Sequence, residues 1–333
     1  MNPCLLRLAQ TRRWACIDEM QGAFEGVGLN VLPFQLEGGR LEGQVRTLDI
    51  PPLRLIRIQV SARVHSLGQK PQGMFLVSID LDPRSETAPW LSHGQPLPGD
   101  CLFGQCVDRD IHITVPAHVS LGMVVLPLSA LRQWAEALDW PGFAGELLPS
   151  SNVHPLHRPT ANTLRRYIRR LFTLAERDPD RLRLPSSQRL VREDLIPLLL
   201  EALITGPSQR ILRPPARIEI VKDVQRWLLD HPMEPVTLAD LCREAHASRR
   251  TLIQGFQDHL GMGPMAYVKL VRLHGIRRLL LQAEPGEIRI GALADMWGFH
   301  NPGHFAADFR RVFGESPRET LQRSPRDGWP ATG

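Results

Sequence analysis

The sequence predicts an α+β multidomain protein with three parts: a β-rich barrel or sandwich, a helical middle segment, and an all-α last part holding two helix-turn-helix units. Three observations predict it. β-forming residues recur between turn residues from about 40 to 127, apolar positions switch to helical spacing from Pro159 onward, and a segment near the end is repeated. The corresponding boundaries are 1–154 for the β-rich part, 155–206 for the helical segment and 207–333 for the last part.

In the first part, Arg54 to Val64 (RLIRIQVSARV), Met74 to Leu81 and Ile111 to Val115 read as strands, and turns such as Pro96-Leu97-Pro98-Gly99 separate them. Cys16 to Phe24 and Leu128 to Leu138 read as helices on either side. Further on, Leu164, Ile168, Leu171 and Leu174 form the apolar stripe of a helix, with Arg165, Arg166, Arg169 and Arg170 beside it. The Arg run reads as a solvated or partner-facing edge in preference to an extra DNA contact, and the apolar stripe as a dimer-packing face. A second helix spans Leu190 to Ile204, and Gly206 to Pro215 forms a loop rich in Pro and Arg before the last part.

At 333 residues and 43% apolar content the chain can bury more than one core. Mean hydropathy is −0.17, ordinary for a globular protein. The longest apolar runs are too short to span a bilayer and the first residues lack a signal-peptide pattern, so a cytoplasmic protein without membrane partners is expected. Five scattered Cys do not make a disulfide framework and read as small buried side chains. Residues 1–154 carry 12 Lys and Arg against 15 acids, residues 155–216 carry 12 against 6, and residues 217–333 carry 16 against 14. The basic excess lies beyond residue 154, and a pI near 9.2 favours a polyanionic partner.

The repeat is the most informative pattern. Leu238, Leu241, Leu252, Phe256, Leu260, Gly261 and Pro264 reappear as Ile290, Leu293, Phe305, Phe309, Phe313, Gly314 and Pro317. The offset is 52 through the first helix of each unit and 53 through the second, so the second unit has one extra residue in its turn. A short helix, a tight turn and a second helix can place that second helix in a DNA major groove. Between the units runs Pro264 to Gln282, a rod about 28 Å long as a helix, ended by Pro285-Gly286. Adjacent major-groove windows on one side of B-DNA lie roughly 34 Å apart, so the rod suits two helices that read neighbouring turns.

Within GFHNPGHFAADFRRVFGESP, residues 298–317, Asn301 can cap a helix and Pro302 suits its first position. Phe305, Phe309 and Val312 or Phe313 form the buried side. Gly303, His304, Ala307, Arg310 and Arg311 are left outside, a small and basic face. Gly314 stops the helix, and Ser316-Pro317-Arg318-Glu319 opens another with a capping box. In the first unit Ser248 caps, and Arg249, Arg250, Thr251, Gln254 and Gln257 fall away from Leu252 and Phe256. Arg matches guanine O6 and N7 together and Gln matches adenine, so Arg250 and Gln254 are the expected base readers. Arg249, Arg310 and Arg311 suit phosphates, and His304 suits a base edge or a phosphate.

These residues resemble the DNA-binding domain of the AraC/XylS family of bacterial transcription regulators. The resemblance covers about 217 to 323 and is carried by VTLADLCREAHASRRTLIQGFQDHLGMGPMAYVKLVRLHGIRRLLL followed by IRIGALADMWGFHNPGHFAADFRRVFGESPRE. Ala294, Gly298-Phe299, His304-Phe305, Phe309-Arg310, Phe313-Gly314 and Ser316-Pro317 fall where the family signature has them. Membership implies a seven-helix domain with recognition helices near 248–260 and 302–313, and usually a separate sensing or dimerising domain. The strand-rich first part followed by helices is similar to the cupin-like barrel and dimerisation helices of longer members. Double-stranded DNA is the implied partner, and a small-molecule effector, a second copy of the chain and RNA polymerase are partners this organisation allows. Two departures stand out. His246 occupies a turn position where the family has Gly and where φ > 0 is required, and Gly303 and Ala307 replace larger polar readers, which shifts base discrimination towards the first unit.

Other chemistries find less support. No phosphate-binding Gly loop or nucleophile elbow occurs, and Cys101 and Cys106 lack a second pair. The spacing of His65, His93, His112 and His118, and of His231, His259, His274 and His300, suggests no metal set, so no cofactor or metal is expected and the chain reads as a non-enzyme. Trp227, Trp297 and Phe299 sit at helix-period positions and read as core rather than as a stacking platform. The competing reading is a metal-dependent cupin-like enzyme with an appended DNA-binding module, and a third is an effector-free architectural DNA binder.

Overall fold

The computed structural model describes residues 8–83, 89–105, 109–139, 152–204, 216–284 and 287–323. Two antiparallel sheets form the first part. The larger runs β1 (Ala9–Trp14), β3 (Gly43–Ile50), β4 (Leu53–Val60), β11 (Val119–Pro127), β6 (Met74–Asp80), β9 (Cys101–Phe103) and β12 (Val153–Pro155). The smaller runs β2 (Val31–Gln35), β5 (Val64–Gly68), β10 (Ile111–Val115), β7 (Leu91–Ser92) and β8 (Gln95–Pro96). Alternation along the strands explains why the larger sheet is apolar on both sides. Ile56, Leu76, Met123 and Val125 join one core together with Val31, Val64 and Val115 of the smaller sheet. Their neighbours Leu55, Phe75, Val77 and Val124 face the other way, into a second core with the helices.

Those helices are α2 (Leu128–Ala137), α3 (Arg158–Arg177), α4 (Pro179–Arg183) and α5 (Pro185–Ile204); α1 (Ile17–Glu25) packs beside β1 and β2. The expected helices at Cys16 to Phe24 and Leu128 to Leu138 are present, and the second of the two later helices begins earlier than Leu190. The expected loop Gly206 to Pro215 lies outside the described residues, as do Cys106 and Pro285-Gly286.

Three expectations are corrected. Arg54 to Val64 is not one strand, because β4 ends at Val60 and β5 begins at Val64 in the other sheet. At the junction, the Ser61 amide donates to the Glu42 carbonyl at 2.9 Å and the Glu42 amide donates to Ser61 Oγ at 2.8 Å, closing the β3–β4 ladder so that the chain can cross. Second, the stripe of Leu164, Ile168 and Leu171 is not free for a partner copy: it fills the core under the chain's own larger sheet. Third, Arg165 is not on a solvated edge. It is 1% exposed, donates to Asp100 Oδ1 and the Gly99 carbonyl at 2.5 Å and to the Asp80 carbonyl at 2.8 Å, and so ties α3 to the strand ends. A buried guanidinium is stable there because its donors are met, one of them by a carboxylate. Arg166, Arg169 and Arg170 are not fully buried, and Arg169 pairs with Asp82 at 3.1 Å.

The remaining helices, α6 (Ala216–Asp230), α7 (Leu238–Glu244), α8 (Arg249–Leu260), α9 (Pro264–Gln282), α10 (Ile290–Met296), α11 (Pro302–Phe313) and α12 (Pro317–Gln322), form the last part. The face of the smaller sheet turned away from the larger one packs on it. Phe34 of β2 is fully buried with its ring 6.0 Å from Tyr267 and 5.2 Å from His274 of α9. Arg277 of α9 is 1% exposed and pairs with Asp18 of α1 at 2.5 Å and with Glu315, its guanidinium 4.8 Å above the Phe313 ring.

Candidate nucleic-acid interface

The helix limits reproduce the repeat. α7 and α10 begin at Leu238 and Ile290, 52 apart, and α8 and α11 begin at Arg249 and Pro302, 53 apart. Both second helices are capped in the same way. Ser248 Oγ accepts from the Thr251 amide at 3.1 Å and Asn301 Oδ1 from the His304 amide at 3.0 Å. Gly261 and Gly314 end the two helices with φ of 74° and 73°, the left-handed conformation that favours Gly. In the turns, His246 has φ 47° and Gly298 φ 81°, so the position where a non-Gly residue was expected to be strained does adopt the left-handed region.

Each unit is held by its apolar side. Leu252, Phe256 and Leu260 are buried with Leu241, Val221 and Tyr267, and Gly255 lets α8 approach α6 closely, its missing Cβ facing Val221 Cγ2 at 3.0 Å. Phe305, Phe309 and Phe313 pack edge to face along α11 with successive centroids 5.7 and 4.7 Å apart. Trp297 is buried against Gly275 of α9, where any larger residue would collide with the indole, and Trp227 and Phe299 are half-buried. Lys269 of α9 pairs with Asp308 of α11 at 2.8 Å.

The opposite faces are open. Ser248, Arg249, Arg250, Gln254 and Gln257 are exposed, while Thr251 is half-buried with its hydroxyl 2.8 Å from that of Ser248. Arg249, Arg250 and Arg310 make no ion pair among the described residues. Gln254 donates to Asp258 at 2.6 Å, and Arg217 pairs with Asp258 at 3.2 Å. On α11, Asn301, Gly303, His304, Ala307, Arg310 and Arg311 are all exposed, with Arg311 bound to Asp308 at 2.6 Å. A Cβ at Gly303 would meet only Asn301 Oδ1, at 3.4 Å, so nothing within the chain requires glycine there.

A second constellation escaped the sequence reading. His65 of β5, His112 of β10 and His259 of α8 lie together, with ligating nitrogens all within 4.8 Å of one another. Spacing argued against a metal set, and that argument is corrected. Antiparallel pairing of β5 with β10 sets Thr114 opposite His65 and Leu67 opposite His112, putting both imidazoles on one face, and α8 lays His259 against them. His93 joins from the β7–β8 turn, stacked on His112 at 5.9 Å, whereas His118 is not part of the group. Burial is the largest cause that pushes His65 well below its ordinary range, His112 to about 4, His93 to about 3 and His259 to about 2. The rings are therefore neutral at pH 7. Alternating residues on two paired strands could have shown that His65 and His112 share a face; nothing in the sequence indicated that α8 would land there.

Residues 241–323 match the family model described as a helix-turn-helix domain. The chain is 36% identical over 134 residues to the probable thc operon regulatory protein of Rhodococcus erythropolis, 40% of each chain. It is 27% identical over 182 residues to the HTH-type transcriptional activator RhaS of Salmonella heidelberg (strain SL476), 53% of this chain and 62% of that one. A solved probable AraC family transcriptional regulator from Rhodopseudomonas palustris is 39% identical, covers 32% of this chain and 97% of its own, and has a TM-score of 0.30. The chain thus spans about half the length of the curated relatives it matches. Among the described residues no helix is long and apolar enough to cross a membrane. The repeated capped helices and these matches agree on the last part of the chain: residues 241–323 are a helix-turn-helix domain, similar to those of AraC-type transcriptional regulators.

Proposed function

We propose that this protein is a sequence-specific regulator of transcription that binds duplex DNA by inserting α8 and α11 into adjacent major grooves. The observation that carries the reading is the pair of equally capped helices, aromatic or aliphatic inside and polar outside, both packed on α9, α8 through Tyr267 and α11 through Lys269, His274 and Arg277. Arg250 and Gln254 read bases, with Gln254 exchanging its bond to Asp258 for one to an adenine edge. Arg249, Arg310 and Arg311 clamp phosphates, while Ser248, Thr251, Gln257, Asn301 and His304 complete the contact. Gly303 and Ala307 keep α11 thin, which suits close approach of its backbone to the duplex.

In this reading residues 207–333 are the DNA-binding domain, with two helix-turn-helix units. Residues 1–154 are a cupin-like domain that senses an effector or dimerises, and residues 155–206 link the two. A second copy of the chain, a small effector and RNA polymerase are the remaining partners. With the stripe of α3 consumed by the chain's own core, a dimer must use another surface. The enzyme alternative loses ground because the histidine cluster is buried: His65, His112 and His259 are 0%, 2% and 2% exposed, so their rings present no open face to an organic substrate. Selection of bound sites from randomised duplex DNA by the full chain tests the proposal. A recurrent motif spanning two helical turns is expected; recovery of unenriched sequence at low salt would reduce the protein to a non-specific binder.

A further inference from the structure

We propose that His65, His112 and His259 form a binding site for one divalent transition-metal ion of the zinc type, and that the bound ion fastens the DNA-facing helix α8 to the β-domain. Three independent elements converge on the site, and their ligating nitrogens already lie within 4.8 Å of one another. Metal–imidazole bonds are about 2.0–2.1 Å, which puts ligating nitrogens roughly 3.3 Å apart around a tetrahedral ion, so the rings need to close by about an ångström or so.

The protonation pattern is suited to metal. Gln225 of α6 is 1% exposed and bridges two of the rings: its carbonyl is 2.7 Å from His112 Nε2 and its amide nitrogen 3.1 Å from His65 Nε2. His112 Nε2 therefore donates to Gln225, and its Nδ1 is left to accept from His259 Nε2 at 3.0 Å. His65 Nε2 accepts from the Gln225 amide, and its Nδ1 is 2.9 Å from Thr114 Oγ1, an outer partner of the kind that orients a ligating imidazole. The lone pair of His112 Nδ1 thus already faces His259, and that of His65 Nε2 becomes available when the Gln225 amide turns away from it. At His259 the hydrogen has only to move from Nε2 to Nδ1, which has no hydrogen-bond partner, for its Nε2 to ligate too. No proton need leave the protein, because all three ligands are neutral before and after.

The surroundings fit a closed site for nitrogen-loving ions such as Zn2+, Co2+ or Ni2+. Of the cations whose charge reaches the cluster, Lys222 is paired with Asp110 at 3.2 Å, and Arg63 acts on His65 and His259. His93 stands behind His112 and is not among the three proposed ligands. Gln225 also lines a surface cleft with Asn30, Leu67, Asp110, Lys222 and Leu229, which supplies an entry path once its side chain swings aside. An ion held by two strands and α8 resists separation of α8 from the sheet, so occupancy biases whichever arrangement keeps that contact. This regulatory consequence rests on the reading of α8 as a DNA-contacting helix; the ion site itself does not.

The test uses the full chain stripped of metal and titrated with Zn2+, with Co2+ as a visible-spectrum probe. One ion per chain is expected, with X-ray absorption of the zinc-loaded wild type showing three imidazoles and no sulfur. His65→Ala combined with His259→Gln should abolish stoichiometric binding, and Thr114→Val, which removes the outer partner of His65, should weaken it by about 10–100-fold. Because the wild-type absorption spectrum needs no variant, misfolding of a mutant does not blunt the test. Absence of stoichiometric Zn2+, a sulfur-containing or oxygen-only shell, or undiminished binding by the folded double variant would overturn the site. Zn2+ is expected to shift affinity for the selected duplex several-fold in the wild type and not in His259→Gln. Zinc binding with no such shift overturns the coupling alone. No duplex binding with or without zinc sinks the DNA reading and leaves the ion site supported.

Discussion

Arg277 and Asp18 form an ion pair 2.5 Å long with both side chains almost wholly out of water, joining the middle of α9 to α1 of the β-domain. Glu315 meets the same guanidinium, and two acids favour its charge, raising its pKa against the opposing effect of burial. Removing the cation strands the buried Asp18 carboxylate, while Glu315 keeps Arg323 at 3.0 Å and the Thr320 hydroxyl at 2.8 Å; breaking comparable buried pairs costs about 3–5 kcal/mol. Arg277→Met should lower the urea midpoint accordingly, and Arg277→Met with Asp18→Asn and Glu315→Gln should recover much of it. A loss under about 1 kcal/mol in the single variant would mean that the contact is open to water in solution.

His246 holds a left-handed φ of 47° at the turn position equivalent to Gly298. A side chain there costs about 1 kcal/mol, partly offset by the greater entropy glycine loses on folding. His246→Gly is expected to raise the melting temperature by a few degrees, and Gly298→Ala to lower it. A destabilising His246→Gly would show that the imidazole makes contacts that outweigh its strain.

His274 is buried between Phe34 and Phe313, and burial first, then the charges of Arg278 and Arg277, hold its pKa well below the ordinary value. In the unfolded chain it titrates near 6.5. The unfolded state therefore binds more protons as pH falls through that value, so the contribution of neutral His274 is complete above about 6.5 and is lost on acidification. Wild type should lose more thermal stability between pH 7.5 and 5.5 than His274→Leu does. Equal losses would place the acid sensitivity elsewhere.

Arg249 and Arg310 are exposed at the two candidate helices. If they clamp phosphates, Arg249→Ala and Arg310→Ala should each weaken binding to selected and random duplexes alike and reduce the salt slope by about 1. An effect restricted to the selected duplex would recast either residue as a base reader.

Much of this was legible in the last third of the sequence. Gly261 and Gly314, Ser248 and Asn301, and the aromatic spacing of α11 are local signals, because capping and the helical period act within one or two turns. The β-domain was legible in part. β1 and β2 went unread: β1 is an edge strand with mostly uncovered polar residues, and β2 carries Pro33, tolerable because β2 is itself an edge. Arg165 and the histidine cluster were hidden for a different reason. Their surroundings are assembled by residues far away in the chain, such as His112 and His259, 147 positions apart, and no local periodicity records such a meeting. The residues read as outward on α8 and α11 are exposed apart from the half-buried Thr251, since burial of the opposite faces leaves them no other direction.

The most direct measurement compares base preferences of wild type, Arg250→Ala and His304→Ala across the selected duplex. Two helices reading neighbouring grooves predict that Arg250→Ala relaxes one base position, at about 1–3 kcal/mol, and that His304→Ala affects contacts about one helical turn, 10–10.5 base pairs, away. Both substitutions altering the same base pair, or neither altering any, would contradict the account.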